Sequence, residues 1–178
     1  MVGVHGLSAE KVVEAFRRCG VTHIVWLPDS ETRFLYDALL AEPSITLVPV
    51  AREGESMAIA AGLWMGGKVP LVLIQNTGFF EAGDSVRGLT LDVGLPVVLC
   101  IGYRGYEKGV PPSQRRDSAA VYLEPLLQAW GIPYYLVETD EDVGRIVQAF
   151  QEAQRRQGPV AVLMCAEYTV QPPQGRTP

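Results

Sequence analysis

The chain has 178 residues, enough for one domain with a full hydrophobic core. Hydrophobic residues make up 48% and charged residues 20%, which excludes an intrinsically disordered chain and a coiled coil. Fifteen basic and 20 acidic side chains give a formal net charge of −5, and the basic residues are scattered. The sequence therefore shows no electrostatic surface for a phosphate backbone, and we expect no nucleic-acid partner.

Cysteine usage and the N-terminal residues indicate the compartment. The chain has an odd number of cysteines: Cys19, Cys100 and Cys165. They lie in apolar stretches, where reduced and buried thiols are ordinary. No basic segment precedes an apolar run at the N-terminus, and no apolar stretch approaches the roughly 20 residues of a membrane span. We therefore expect a cytoplasmic protein without a membrane partner. One domain is predicted over residues 1–168, with a C-terminal tail over 169–178.

Short apolar, often β-branched runs alternate with longer segments of helical spacing. In chain order we predict a helix from Ser8 to Gly20, a strand at 24–27, a helix from 28 to 39, a strand at 45–50, a helix at 53–65, a strand at 69–74, a helix at 79–91, a strand at 95–101, a helix at 119–130, a strand at 134–137, a helix at 140–156 and a strand at 159–164. This order predicts an α/β fold: a three-layer, mostly parallel six-stranded sheet with helices on both faces.

Ligands bind such sheets beyond the carboxyl ends of the strands. The segments to consider are therefore 28–33, 51–55, 75–87 and 102–117, each of which follows a predicted strand. The last is a long irregular loop with three glycines, two prolines and no hydrophobic period, and is a candidate functional segment.

Several familiar site types are not supported by the residue pattern. Residues 62–68 nearly spell a phosphate-binding loop, but they run from helix into strand, the wrong order for that site. Ser85 lacks a positioned base, since His5 and His23 are far away in the sequence. No Gly-x-Gly-x-x-Gly follows the first strand, and no His, Cys and acidic residues have metal-ligand spacing, so we expect no metal site on this chain.

The segment that begins at Glu53 and ends at Gly62 has two carboxylates in its first turn, a pattern that also simply favours a helix N-terminus. Together with Gln75-Asn76-Thr77-Gly78, it resembles the pyrimidine-binding (PYR) domain of thiamine diphosphate enzymes. Within that superfamily it looks most like sulfopyruvate decarboxylase alpha subunits and the N-terminal half of phosphonopyruvate decarboxylases. The resemblance extends over residues 7–166 through three more segments: Leu27-Pro28-Asp29-Ser30, Gly102-Tyr103-Arg104-Gly105 and Glu124-Pro125-Leu126-Leu127.

This resemblance implies thiamine diphosphate as the cofactor and Glu53 as the catalytic residue, bonded to nitrogen N1′ of the aminopyrimidine ring. A carboxylate suits this role because it can share a proton with a ring nitrogen in a dry pocket. Gln75, Asn76, Thr77 and Gly78 would approach the same ring, although these residue types also suit a tight βα turn.

The resemblance also implies a second subunit. The family holds Mg²⁺ and the diphosphate with a Gly-Asp-Gly followed at a distance by Asn, and this sequence has no such motif. We therefore expect a beta subunit with the diphosphate-binding (PP) domain and the Mg²⁺ site, in an assembly such as α₂β₂ or larger. A homodimer of the chain alone stays an alternative.

The implied activity is decarboxylation of a 2-oxo acid, most similar to that of sulfopyruvate decarboxylase. A phosphonopyruvate-type subunit and a non-catalytic PYR-type module for binding or assembly are the alternatives. Where related decarboxylases resemble Asn-Ser-Gly-x-Gly-Asn, this chain ends the motif with Glu81, which would repel an anionic substrate. The arginines of these segments can either neutralise a substrate sulfonate or lie solvated on the surface. Asp29 and Ser30 can either face the substrate or cap a helix. The candidate substrate-binding residues are Asp29, Ser30, Arg52 and Arg104, with Arg115 and Arg116 as further candidates.

Overall fold

The computed structural model describes residues 6–165, and the predicted tail at 169–178 lies outside them. Six parallel strands form one sheet in the order β2-β1-β3-β4-β6-β5. The strands are β1 (His23–Trp26), β2 (Thr46–Pro49), β3 (Pro70–Gln75), β4 (Val98–Gly102), β5 (Tyr134–Val137) and β6 (Val160–Met164). The prediction of a six-stranded parallel sheet is confirmed.

Helices cover both faces of this sheet. They are α1 (Ala9–Arg18), α2 (Tyr36–Leu40), α3 (Glu53–Met65), α4 (Asn76–Glu81), α5 (Gly83–Ser85), a π-helical segment (Val86–Asp92), α6 (Ser118–Ala129) and α7 (Gly144–Arg156). One core cluster joins α1, α2 and α7 to one face of the sheet. A second cluster joins α3, α4, the π-helical segment and α6 to the other face, which gives the three layers.

The helix predicted from residue 28 begins later than expected. The chain forms a turn at Asp29, a single 3₁₀ turn at Arg33–Leu35 and only then α2. The reason is that Asp29 accepts hydrogen bonds from the backbone N–H groups of Glu31 and Thr32, which fixes a turn where the helix was expected to start. The strand predicted at 95–101 also begins later, at Val98.

The two helix layers differ in their outer surfaces. α1 buries one apolar stripe and exposes charged residues, as a surface helix does. α3 has no polar face of this kind, and its Met65 is 78% exposed while Ile59, Leu63 and Trp64 are only partly buried. The layer that contains α3 therefore presents apolar side chains outward.

Candidate active site

The candidate site lies where the central strands β1, β3 and β4 end. Gln75 at the end of β3 pairs in register with Gly102 at the end of β4. A Cβ atom on Gly102 would lie 2.7 Å from Cβ of Glu31, so the turn after β1 packs directly on the end of β4. Glycine at position 102 thus permits the close approach that brings three post-strand turns to one edge.

Glu53 is the first residue of α3, and its side chain lies against the first turn of α4. A Cβ atom on Gly78 would stand 2.4 Å from Cγ and 2.5 Å from Oε1 of Glu53. The Glu53 side chain therefore occupies the space that any residue other than glycine would fill at position 78. Glu53 is half-buried, and within residues 6–165 its carboxylate takes part in no hydrogen bond or ion pair.

Glu81, on the last turn of α4, holds the N-terminus of α3. Its Oε2 accepts a 2.6 Å hydrogen bond from the backbone N–H of Gly54, and its Oε1 accepts hydrogen bonds from the guanidinium of Arg52. These contacts lower the pKa of Glu81, first through the Arg52 hydrogen bond and then through the Gly54 N–H. The negative charge of Glu81 is therefore paired within the chain, which corrects the expectation that it would simply repel an anion.

Asp29 caps the turn after β1. Its Oδ1 accepts from the backbone N–H groups of Glu31 and Thr32 at 2.7 and 3.0 Å, and its Oδ2 accepts from the Thr32 hydroxyl at 2.8 Å. That hydroxyl also accepts from the indole N–H of Trp26 at 3.1 Å. Burial raises the pKa of Asp29, and its hydrogen bonds act in the opposite direction. Asp29 thus caps a turn and not the helix that the sequence indicated, while contact with substrate stays a prediction.

Gln75 links this turn to the start of α4. Its Oε1 accepts a 2.7 Å hydrogen bond from the hydroxyl of Thr77, and its Nε2 lies 3.5 Å from the hydroxyl oxygen of Ser30. Ser30 and Thr77 are both exposed. The turn of residues 75–78 therefore contacts the Asp29 turn on one side and Glu53 on the other.

Asn76 is fully buried, and both ends of its amide are used inside the chain. Its Nδ2 donates to the carbonyl of Arg104 at 2.9 Å, and its Oδ1 accepts from the backbone N–H of Thr77 at 3.1 Å. The Arg104 side chain is exposed and pairs with Asp117 at 3.1 Å. Asn76 thus ties the turn after β3 to the turn after β4, while direct cofactor contact by Asn76 stays a prediction.

A buried ion pair holds the loop of residues 103–117. The side chains of Arg115 and Glu124 are 5% and 11% exposed, with Nη1 of Arg115 and Oε1 of Glu124 2.8 Å apart. The guanidinium also lies over the rings of Tyr103 and Tyr106, and Tyr103 donates its hydroxyl proton to Glu124. Arg115 therefore anchors the loop, a role that the sequence pattern of residues 102–117 did not indicate.

Most of the predicted site residues meet at this edge in two groups. The Glu53 group contains Arg52 and Gly78, and the Asp29 group contains Ser30, Gln75 and Thr77; the turn of residues 75–78 joins them. Arg104 contacts that turn through its backbone carbonyl. Sequence reasoning missed the contact between Glu81 and Gly54, although it noted the unusual carboxylate at position 81.

The described part of the chain also bears on metal binding and membrane crossing. Within residues 6–165, no three His, Cys, Asp or Glu side chains come together in a group that could hold a metal ion. None of the helices there has the length and apolar composition that crossing a membrane requires.

Comparisons with known proteins agree with the residue pattern. Residues 8–114 match the family described as thiamine pyrophosphate enzyme, N-terminal TPP binding domain. Sulfopyruvate decarboxylase subunit alpha from Methanococcus maripaludis is 25% identical over 162 residues, which are 90% of this chain and 96% of that subunit. A phosphonopyruvate decarboxylase from Streptomyces viridochromogenes is 28% identical over 99 residues, 56% of this chain and 25% of that protein. A solved chain described as a thiamin diphosphate-dependent enzyme from Mycobacterium smegmatis shares the fold, with a TM-score of 0.69 at 21% identity, over 89% of this chain and 30% of that chain.

Proposed function

The chain belongs to the thiamine pyrophosphate enzyme family, as its N-terminal TPP-binding domain, and on that premise we propose that it is the alpha (PYR) subunit of a 2-oxo acid decarboxylase. The names of its relatives, sulfopyruvate decarboxylase subunit alpha and phosphonopyruvate decarboxylase, support this reaction class. The proposed reaction releases CO₂ from a small 2-oxo acid, with a sulfopyruvate-like substrate as the first choice.

One observation carries the proposal: the Glu53 carboxylate is half-buried, lies against a glycine and has no partner among the described residues. A polar group that is partly withdrawn from water without a partner is costly in a folded protein, and a ligand that binds it would remove that cost. A ring nitrogen that shares a proton with a carboxylate would satisfy it. The residues present therefore fit the pyrimidine half of thiamine diphosphate.

Four of the five predicted cofactor residues have a task in this proposal, and Asn76 holds their turn to the loop after β4. Glu53 would hold a proton between its carboxylate and N1′ of the ring. Gly78 leaves room for the Glu53 side chain, and Gln75 and Thr77 present polar groups at the same turn. When bound, thiamine diphosphate supplies an electron sink for the electrons that departing CO₂ leaves behind.

We assign the diphosphate and Mg²⁺ to a beta subunit with a PP domain. The sequence contains no Gly-Asp-Gly motif of the kind that the family uses for this half of the cofactor. The relatives named subunit alpha support a partner of some kind. The apolar outer surface of α3 is suited to be covered by another chain, either the beta subunit or a second copy. An α₂β₂ assembly or a larger one follows if both contacts form.

The substrate would enter beside the two exposed arginines. Arg52 is 73% exposed while it pairs with Glu81, and Arg104 is exposed beside Asp117. Exposed ion pairs are weak, so either guanidinium can turn to an oxyanion at low cost. This supports an acid substrate with a second anionic group, such as a sulfonate or a phosphonate.

The cellular location is proposed on the cysteines. Cys19, Cys100 and Cys165 are all free thiols, which is usual in a reducing compartment. We therefore propose that the complex works in the cytoplasm.

The test is to co-express the chain with a candidate beta subunit and measure CO₂ release from sulfopyruvate, phosphonopyruvate and pyruvate, with thiamine diphosphate and Mg²⁺. Glu53→Gln should lower turnover at least about a hundredfold, the usual value of a positioned acid or base. Glu55→Gln is the matched control, because Glu55 is an exposed carboxylate in the same helical turn.

A stable complex that releases no CO₂ from any of the three acids would remove the decarboxylase proposal and favour a non-catalytic module. Equal turnover in the Glu53→Gln and Glu55→Gln complexes would remove the role given to Glu53.

A further inference from the structure

Helix α3 begins without a cap from its own sequence. Its N-cap residue is Arg52, whose side chain makes no capping hydrogen bond. The first backbone N–H groups of a helix have no partner inside the helix and need an acceptor from elsewhere. For Gly54 that acceptor is Oε2 of Glu81, which reaches across from α4 at 2.6 Å.

The Glu81 carboxylate contacts the residue on each side of Glu53. Oε2 binds the N–H of Gly54, and Oε1 binds the guanidinium of Arg52. The negative charge of Glu81 is favourable near the positive end of the helix dipole, and Arg52 compensates part of it. Glu81 therefore fixes the backbone directly after Glu53, at Gly54, and its charge is paired with the Arg52 side chain.

The same helix also sets the position of the Glu53 side chain. Gly78 and Glu81 are three residues apart on α4, so they lie on one face of that helix. Gly78 lies against Cγ and Oε1 of Glu53, and Glu81 binds the backbone that follows it. Helix α4 thus determines both the backbone and the side-chain position of one carboxylate.

We propose that Glu81 is a positioning residue, which holds Glu53 in place by capping α3 from α4. The inference rests on the proposed function, since the group that Glu53 is positioned for is the pyrimidine ring. An amide at position 81 would keep an oxygen acceptor for Gly54, whereas alanine would keep none.

The experiment compares Glu81→Ala, Glu81→Gln and the control Glu14→Ala. Glu14 is a matched control because it forms an exposed two-bond ion pair with Arg17 on α1, in the opposite helix layer. Amide hydrogen exchange at Gly54 is measured in the chain alone. Affinity for thiamine diphosphate, kcat and KM are measured in the complex with the beta subunit, after gel filtration has shown that the variant complexes assemble.

We expect Glu81→Ala to speed exchange at Gly54 and weaken cofactor binding, each by about tenfold or more, as the loss of a hydrogen bond to a charged group does. In Glu81→Gln, the exchange rate at Gly54 and the affinity for thiamine diphosphate should stay within about threefold of the wild-type values. Both quantities should equal the wild-type values in Glu14→Ala. A purely structural role would lower thermal stability without this rescue of cofactor affinity by glutamine.

The outcomes separate the two proposals. If the wild-type complex binds thiamine diphosphate but Glu81→Ala behaves like Glu14→Ala, the positioning role is wrong and the proposed function stands. If glutamine is as harmful as alanine, the Gly54 hydrogen bond is not the cause and the inference is overturned. If the wild-type complex binds no thiamine diphosphate, the proposed function fails and the positioning role falls with it, whatever the exchange at Gly54 shows.

Discussion

Replacing Gly78 with alanine should separate the position of Glu53 from the stability of the fold. The new Cβ atom would lie 2.4 Å from Cγ and 2.7 Å from Cδ of Glu53. Carbon atoms in contact are about 3.5 Å or more apart, so the Glu53 side chain must move by about 1 Å. A misplacement of about this size can cost about a hundredfold in rate.

The fold should tolerate the same change. Gly78 is an α4 residue without a positive φ angle, so alanine fits the backbone there and gains about 0.5–1 kcal/mol of helix stability over glycine. Pushing Glu53 off its preferred rotamer costs about 0.5–1.5 kcal/mol. The two effects nearly cancel, and the free energy of unfolding should stay within about 1 kcal/mol of the wild-type value.

The assay pairs urea unfolding of the chain with turnover of the assembled complex. Gly144→Ala is the control, because Gly144 begins α7 on the opposite face and a Cβ atom there meets nothing within 4 Å. It should leave turnover unchanged. Wild-type turnover in the Gly78→Ala complex would refute the reasoning, because Glu53 would then not need its observed position.

Four further predictions concern the loop of residues 103–117 and the thiol of Cys19. Arg115→Met removes the ion-pair partner of the buried Glu124 carboxylate, so the free energy of unfolding in a urea titration should fall by about 3–5 kcal/mol. A loss below about 1 kcal/mol would contradict the anchoring role of Arg115. Gly105 and Gly109 both have φ +76°, but only a Cβ atom on Gly105 would meet another side chain, Cβ of Asp117 at 2.4 Å. Gly105→Ala should therefore lower the melting temperature more than Gly109→Ala does. Equal losses of melting temperature would exclude an effect of this clash. Burial raises the pKa of Cys19 to about 11, so iodoacetamide at pH 8 should react with it about a hundredfold more slowly than in the unfolded chain. Because the unfolded thiol ionises first, the free energy of unfolding should also fall from about pH 9 to pH 11, and less so in Cys19→Ser.

The strand and helix order could be read from the sequence because hydrophobic periodicity is a local signal. All six predicted strands are present, and the prediction that the 53–65 segment is one helix is confirmed. The delayed start of α2 was missed because Asp29 can cap either a helix or a turn. The Trp26 indole donates a hydrogen bond to the Thr32 hydroxyl, which packs that turn against β1. The two residues are six positions apart, and hydrophobic periodicity does not indicate such a contact.

The site was predictable only in part. Glu53 and Gly78 could be placed at the same sheet edge because each follows a strand, and parallel strands end together. The pairing of Arg52 with Glu81 joins residues 29 positions apart, and no short motif encodes such a contact. Arg115 looked like a surface residue among prolines and charges, yet the Tyr103 and Tyr106 rings and a distant carboxylate enclose it.

The hydrogen bond from Asn76 to the carbonyl of Arg104 and the buried Arg115 fasten the two ends of one loop. Between these fastenings, residues 107–109 and 113–114 are largely exposed. Insertions or grafted peptides at residues 108–109 should leave the strand ends undisturbed, because the Asn76–Arg104 hydrogen bond and the Arg115–Glu124 ion pair join residues outside that tip. The tip is therefore where an engineer could attach a reporter.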